Sequence, residues 1–297
     1  MTEPAKSFAR ESAALLWRLA VYFAVLILSF WLLDEGYGWA KAALGVDFAK
    51  TPDLRPAEAV GLGQARLLIA ALIAWWVTAK LGRDKLPPLL PWPAKAVSHL
   101  IHGTLWGFAG IAVTVGLIAA LGGYSISGVA LTGSALLYYV PLWLGVALIN
   151  GLAENLALMG YPMLRIARPA GWVAAIVVAS LLFAAAHLRN PGESPLGIVS
   201  VFLMALTMAL AIWLTGDVWL SVGIHAGLII AEDLVFSVPD SGATYTGHLL
   251  LSRLSGPAWL SGGEGGPEAS VLALPVFALL LAALWFVYRR PKASPGL

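Results

Sequence analysis

Residues 137–158 read LYYVPLWLGVALINGLAENLAL and carry a single charged residue, Glu154. An α-helix needs about 20 predominantly apolar residues to cross the roughly 30 Å hydrocarbon core of a bilayer. This stretch meets that length. It therefore predicts a membrane-spanning helix with one carboxyl group inside it.

Apolar runs of similar length recur along the chain, and no polar stretch between them is long enough for a separate domain. We therefore expect an all-α, polytopic membrane helical bundle of about eight transmembrane helices, in a single membrane domain over residues 1–297. The predicted spans are 14–33, 59–79, 102–121, 137–158, 171–188, 195–214, 218–237 and 269–288.

Composition excludes several classes of function. Hydrophobic residues make up 60% of the chain and charged residues only 11%, against roughly 25% charged in soluble globular domains. The net charge is only +2 and the 18 Lys and Arg are scattered over loops, which argues against a nucleic-acid partner. Because there is no cysteine, thiol nucleophiles and thiolate metal sites are excluded.

The loops predict an orientation in the cell membrane. With the N-terminus inside, eleven Lys and Arg fall on the inner side and five on the outer side, so the positive-inside rule predicts that both termini are cytoplasmic. Prolines between positions 87 and 93 interrupt helix, and residues 95–102 are expected to form a short segment lying at the interface. The loop 239–268 is rich in Gly and Ser and predicts irregular structure.

Three ionisable residues fall inside apolar runs in the second half of the chain: Glu154, His187 and His225. Such residues are expensive in hydrocarbon, so they usually face a protein-lined or water-filled cavity and have a function there. Each belongs to a different predicted span. Packing or interfacial roles remain open for each of them, and Glu232 and Asp233, near a span end, are expected to be solvated.

Helical spacing indicates which polar and aromatic residues accompany these three, because residues three, four and seven apart share a face. We expect the three helices to point one carboxylate, two imidazoles and several amides into a common cavity. The predicted companions are Asn150 and Tyr161 for Glu154, Phe183 and Asn190 for His187, and Ser221, Ile229 and Glu232 for His225.

This residue set suits hydrolysis of an amide bond. A carboxylate held by an imidazole can deprotonate water, and nearby donors can stabilise the oxyanion that develops. Two histidines and a carboxylate could also hold zinc, but the H-E-x-x-H spacing that would make this specific is missing. The expectation is therefore no cofactor, with zinc as the less favoured alternative.

The motifs resemble those of the CAAX protease and bacteriocin-processing (CPBP or Abi) family of intramembrane glutamate endopeptidases. Members carry E-E-x-x-x-R, then F-x-x-x-H, then H-x-x-x-N, each on its own helix. Here Glu154–Met159, Phe183–His187 and His225–Ile229 occupy these positions in order. The likeness runs over roughly 142–270, which predicts a catalytic core region over 134–270.

The resemblance implies roles and also shows departures. It implies that Glu154 is the general base, His187 its partner and His225 a donor to the oxyanion. Asn155 replaces the second acid, Met159 the arginine, and Ile229 the oxyanion asparagine. The acid and the arginine are lost together, which is less damaging than losing one of a buried pair. Asn150, Asn155 or Asn190 could supply the missing donor, with Phe183 as further support.

Three hypotheses follow for the function. The first is a metal-independent endopeptidase that acts on a peptide or membrane-anchored protein at the lipid bilayer. The second, motivated by the altered motif residues, is a catalytically impaired relative that binds a membrane partner or peptide through the same cavity. The third is a transporter that moves protons through Glu154, although no internal repeat is evident.

Overall fold

The structure is a computed structural model that describes residues 3–45, 56–83 and 92–289. Long apolar helices dominate these residues, with one small sheet. The helices are α1 (Glu3–Leu44), α2 (Ala57–Gly82), α3 (Ala96–Ala120), α4 (Ser134–Glu154), α5 (Tyr161–His187), α6 (Pro195–Thr215), α7 (Trp219–Ile229), α8 (Ala258–Ser261) and α9 (Ala273–Tyr288). The antiparallel strands are β1 (Tyr124–Val129) and β2 (Leu250–Leu254).

The membrane-spanning class is confirmed. In the described part of the chain, six helical stretches are long and apolar enough to cross a bilayer. One of them, Ser134–His187, covers two predicted spans and is broken at Gly171, whose φ of 80° and ψ of 166° are not helical. The last predicted span corresponds to α9, which has only 16 residues. The count of eight spans therefore stays a prediction.

Helix α7 lies at the centre of the bundle, and every one of its residues is buried. It packs closely against α3 because two glycines on each helix face the backbone of the other. A Cβ on Gly107 would lie 1.9 Å from the Ile224 carbonyl oxygen, and one on Gly227 would lie 2.2 Å from that of Thr104. The segments Gly103–Gly107 and Gly223–Gly227 are thus facing G-x-x-x-G pairs.

Two π-helical segments interrupt the bundle, Asn155–Gly160 directly after Glu154 and Ile230–Phe236 directly after α7. A π-turn holds more residues than an α-turn, so it rotates the following residues to a different face. Tyr161 therefore does not share the Glu154 face, and the prediction that it does was wrong. It stacks on Tyr22 of α1, with ring centroids 5.0 Å apart.

The Tyr22 hydroxyl also stabilises the first π-segment. It donates to the carbonyl oxygens of Leu156 and Ala157 at 3.2 and 3.0 Å. Backbone groups inside a membrane need such partners because no bulk water reaches them. The contact therefore ties α1 to the backbone immediately after Glu154.

Two loop predictions differ from the structure. Residues 95–102 do not form a separate interfacial segment, because α3 begins at Ala96 and runs on without a break. The loop 239–268 is not wholly irregular, since it contains β2, α8 and a short 3₁₀ turn, Gly263–Gly265. β2 pairs with β1, whose few residues between α3 and α4 gave no alternating run long enough to indicate a strand. The proline-rich segment 84–91 lies outside the described residues.

Candidate active site

Glu154, His187 and His225 lie together. Glu154 is the last residue of α4, His187 the last of α5, and His225 sits in the middle of α7. The Nε2 atoms of both imidazoles are 3.9 Å from Oε2 of Glu154. The helix continues past Glu154 through the π-segment into α5, so it does not end near residue 158 as the predicted span does.

A gap of 3.9 Å is too long for a direct hydrogen bond. It does match the separation of two polar atoms that share one bridging water. Oε2 of Glu154 is itself buried and has no hydrogen-bond partner within the described residues. The carboxylate therefore presents one unengaged oxygen to both imidazoles.

The orientation of His187 follows from its backbone contact. Its Nδ1 lies 2.9 Å from the Phe183 carbonyl oxygen, which can only accept a hydrogen bond. Nδ1 therefore carries the proton in the neutral ring, and Nε2 turns a lone pair toward Glu154. Both Nε2 and the carboxylate can then accept from the same water.

Phe183 fixes both imidazole rings. Its ring stacks on His187 with centroids 4.8 Å apart and planes inclined by 21°, and it meets His225 edge-on at 5.7 Å. Phe183 is itself buried. Because aromatic contacts of this kind restrict ring rotation, Phe183 holds the two imidazoles in one relative arrangement.

Gln64 of α2 completes the surroundings of Glu154, and sequence reasoning missed it. Its Nε2 donates to Oε1 of Glu154 at 3.0 Å. Gln64 lies in the predicted span 59–79, but a search restricted to ionisable residues passes over a neutral amide. An amide in the middle of an apolar run also needs a hydrogen-bonding partner in the membrane, and that criterion would have found it.

The three residues border a cavity of about 330 Å³, here called the central cavity. Of the three asparagines considered as donors, Asn150 and Asn190 line it. Asn155 does not line it and is only 1% exposed. The cavity is also lined by Leu26, Val60, Gln64, Leu67, Asp233, Asp240, Ser241 and Tyr245.

Glu232 and Asp233 are not solvated, contrary to the expectation from sequence. They are 1% and 4% exposed. Both lie in the π-segment that continues α7, and residues of the following loop, Asp240 and Glu268 among them, pack over that segment. A position near the end of an apolar run could not reveal this cover, because it comes from a glycine-rich loop more distant in the sequence.

The altered motif positions are apolar packing sites. Met159 is fully buried, and Ile229 is 2% exposed within a cluster that includes Trp143. Neither side chain lines the central cavity. At these two positions the chain thus holds apolar side chains that pack outside the cavity.

A zinc ion on this trio requires a closer donor set. Tetrahedral zinc with bonds of about 2.0–2.1 Å places its ligand atoms roughly 3.4 Å apart. In the described part of the chain, one group of three acidic or histidine side chains has donor atoms all within 4.8 Å of one another, and it is a different group. The Glu154 trio does not meet that distance criterion, and the expectation that no metal is bound stays a prediction.

Part of the chain is similar to a known protein family. The family model described as Rce1-like, type II CAAX prenyl endopeptidase, matches residues 136–230, about a third of the chain. The matched segment contains Glu154, His187 and His225. No curated protein and no solved structure matches the chain.

The match confirms the resemblance to the CAAX protease family over that segment. Together with the apolar helices, the match supports a multi-pass membrane protein with a segment similar to this endopeptidase family. The boundaries 134–270 for a catalytic core stay a prediction, as does the cytoplasmic location of both termini.

Proposed function

We propose that this protein is an intramembrane endopeptidase of the CAAX protease type that cleaves a peptide bond with a water activated by Glu154. The observation that carries the proposal is the unengaged Oε2 of Glu154, which lies 3.9 Å from Nε2 of both His187 and His225. That arrangement has a place for one water held by the carboxylate and an imidazole. General bases of this kind contribute typically 10²–10⁴-fold to the rate.

In the proposed reaction the water oxygen attacks the scissile carbonyl carbon and its proton passes to Oε2 of Glu154. Gln64 holds the other carboxylate oxygen, so Oε2 keeps its direction during the transfer. Nε2 of His187 accepts a hydrogen bond from the same water and orients it. When the tetrahedral intermediate collapses, the proton on Glu154 goes to the leaving nitrogen, which restores the carboxylate.

The negative charge on the intermediate needs a donor. His225 supplies it in the tautomer that carries its proton on Nε2, the nitrogen nearer Glu154. Asn150 and Asn190 also border the central cavity. Either amide can act as the oxyanion donor that Ile229 cannot provide. Asn155 is the weakest of the three because it does not line the cavity.

The cavity walls favour a peptide that is anchored in the membrane. Leu26, Val60 and Leu67 form an apolar side contributed by α1 and α2, while Asp240, Ser241 and Tyr245 of the long loop form a polar side. An apolar wall toward the bilayer accepts hydrophobic side chains, and the polar side accepts hydrated backbone. The proposed substrate is therefore a peptide segment at the membrane surface, cleaved without a bound metal.

A second candidate is a non-catalytic relative that binds a membrane peptide through the central cavity. Ile229 favours it, because that position holds an oxyanion donor in the family and is apolar here. Loss of one such donor can cost roughly 10²–10³ in rate. A stable partner that co-purifies equally with wild type and with Glu154→Gln would support this candidate.

The test is cleavage by purified full-length protein. A panel of membrane-anchored peptides, with and without a prenylated C-terminus, would be incubated with wild type and with Glu154→Gln, and products identified by mass spectrometry. We expect one peptide class to be cut by wild type only. Cleavage of every peptide at equal rates by both proteins would overturn the proposal.

A further inference from the structure

A second group of acidic side chains lies beside the central cavity and has no part in the proposed reaction. Glu232 of the second π-segment, Asp240 of the loop after it and Glu268 of the 3₁₀ turn Pro267–Ala269 each offer a carboxylate oxygen, and these atoms all lie within 4.8 Å of one another. The three are called the acidic cluster below. They come from separate segments, so the fold has brought them together.

Two members of the acidic cluster are buried, Asp240 is half-buried, and none has a cationic partner among the described residues. Glu232 is 1% exposed and Glu268 9% exposed. No Lys, Arg or His forms a salt bridge with any of the three within the described part of the chain. Uncompensated buried charge costs several kcal/mol, so carboxylates in such a place are normally paired, protonated or bound to a metal.

Two buried carboxyl oxygens here have no hydrogen-bond partner among the described residues. One is Oε1 of Glu232, a member of the cluster, and the other is Oδ1 of the neighbouring Asp233. Glu268, in contrast, is held in place, since its Oε1 accepts from the backbone nitrogen of Ser241 at 2.8 Å and from its hydroxyl at 2.5 Å. The cluster thus combines an anchored carboxylate with one whose oxygen is free for a ligand.

The pKa values of two carboxyl groups in the acidic cluster are raised, as expected for acids that lie close together away from water. Burial, and then the charge of Glu268, raises the pKa of Asp240 above its ordinary value. Burial also raises the pKa of Glu268, although its hydrogen bonds from Ser241 oppose the rise. The carboxylates therefore repel one another in a site of low polarity, and a bound cation would relieve that repulsion.

We propose that the acidic cluster binds one hard divalent cation, with Ca²⁺ as the best match. All the donors are carboxylate oxygens, which suit Ca²⁺ and Mg²⁺, and the cluster contains no imidazole or thiolate that would favour zinc. Ca²⁺ tolerates irregular geometry, whereas Mg²⁺ demands a near-octahedral arrangement. Three donors from three segments suit the more tolerant ion.

The ion would join the loop to the helix that carries His225. Glu232 lies seven residues after His225, in the π-segment that continues α7. Asp240 and Ser241 form part of the polar wall of the central cavity. Binding would therefore fix that wall relative to the imidazole. This role is structural, and it holds whether or not the protein is a peptidase.

The test measures cation binding by full-length protein in detergent. After removal of metals with EDTA, the protein would be titrated with CaCl₂ up to about 10 mM, which spans the roughly 10⁻⁴–10⁻³ M affinities of weak oxygen-ligand sites. Equilibrium dialysis would count the bound calcium. Tryptophan fluorescence would follow thermal unfolding. We expect one ion per chain and a higher unfolding temperature.

Variants distinguish this site from general binding of cations. Asp240→Asn and Glu268→Gln should each weaken Ca²⁺ binding at least about tenfold, because affinity follows the number of charged ligands. Glu264→Gln is the matched control, since Glu264 is an exposed acid in the same loop outside the cluster, and it should bind like wild type.

Two results would overturn the proposal. One is wild-type protein that retains no calcium and unfolds at the same temperature with and without it. The other is Asp240→Asn or Glu268→Gln binding calcium as tightly as Glu264→Gln does. If a cluster variant fails to fold, the calcium content of wild type decides. Because the readout is binding, a negative result leaves the proposed peptidase activity standing.

Discussion

Gln64 on α2 donates a hydrogen bond of 3.0 Å from Nε2 to Oε1 of Glu154 on α4. This contact leaves only the other carboxylate oxygen for the imidazoles, and it determines which way Glu154 faces. Both residues line the central cavity. A neutral residue from the first half of the chain thus positions the carboxylate that we propose as the general base.

The first prediction concerns this contact. Gln64→Leu keeps the approximate size of the side chain and removes the donor, so Glu154 is free to rotate away from the bridging position. We expect kcat to fall by roughly 10-fold to 100-fold with little change in KM, because small misplacements of a reacting group cost about that much. Steady-state cleavage kinetics would measure it.

Thr78→Val is the control for that variant. Thr78 is a buried polar residue on the same helix whose hydroxyl donates only to the Ala74 carbonyl, one turn earlier. It should leave kcat near the wild-type value. A Gln64→Leu enzyme that is as fast as Thr78→Val would show that the hydrogen bond to Glu154 is not used.

The second prediction concerns the close contact between α3 and α7. Gly107→Ala places a methyl group 1.9 Å from the Ile224 carbonyl oxygen, so the helices must separate. Overpacking a core usually costs about 1–3 kcal/mol, and we expect this variant to lose more stability than that. We also expect a loss of activity, because His225 moves with α7. Chemical unfolding in detergent would measure the stability.

Gly116→Ala provides the comparison on the same helix. A Cβ at Gly116 would meet no atom within 4 Å. Alanine is favoured over glycine in a helix by up to about 1 kcal/mol, so this variant should be as stable as wild type or slightly more so. Equal stability of the two alanine variants would contradict the packing seen here.

The third prediction concerns the motif positions that differ from the family. Asn155 and Met159 are 1% and 0% exposed. Met159→Arg or Asn155→Glu alone buries a charge without a partner. A buried charge left without its partner typically costs about 3–5 kcal/mol of stability. The double variant restores the family's acid and arginine, so we expect it to be more stable than the sum of the single effects allows.

A double-mutant cycle on unfolding free energies measures this coupling. The expected coupling is stabilising and larger than about 1 kcal/mol, within the range for residues in one network. Strictly additive effects would show that the two positions do not face each other. In that case the resemblance at these positions would be one of sequence only.

The fourth prediction concerns metals. 1,10-Phenanthroline binds zinc and other transition metals in solution but takes up Ca²⁺ poorly. Because we propose that the Glu154 trio works without zinc, we expect this chelator to leave the cleavage rate unchanged within about twofold. A twofold change corresponds to less than about 0.5 kcal/mol in the activation barrier. Inhibition that added zinc reverses would contradict the metal-free mechanism.

The sequence was enough to predict the helices and the trio, because both follow from local rules. Apolar length predicts spans, and ionisable residues such as Glu154 and His225 are conspicuous inside them. The sequence did not reveal which way Tyr161 faces, since a π-segment changes the helical period without an evident pattern in composition. It also missed Gln64 and the burial of Glu232, which depend on contacts between distant segments.

The rate of cleavage by Glu154→Gln relative to wild type tests the central claim most directly. Both proteins would be purified at full length, shown to unfold at similar temperatures, and assayed on the peptide that wild type cuts best. Glutamine keeps the shape and the contact region of Glu154 but cannot accept the proton from water, so the account predicts a rate at least about 100-fold lower. A folded Glu154→Gln protein that cleaves as fast as wild type would contradict it.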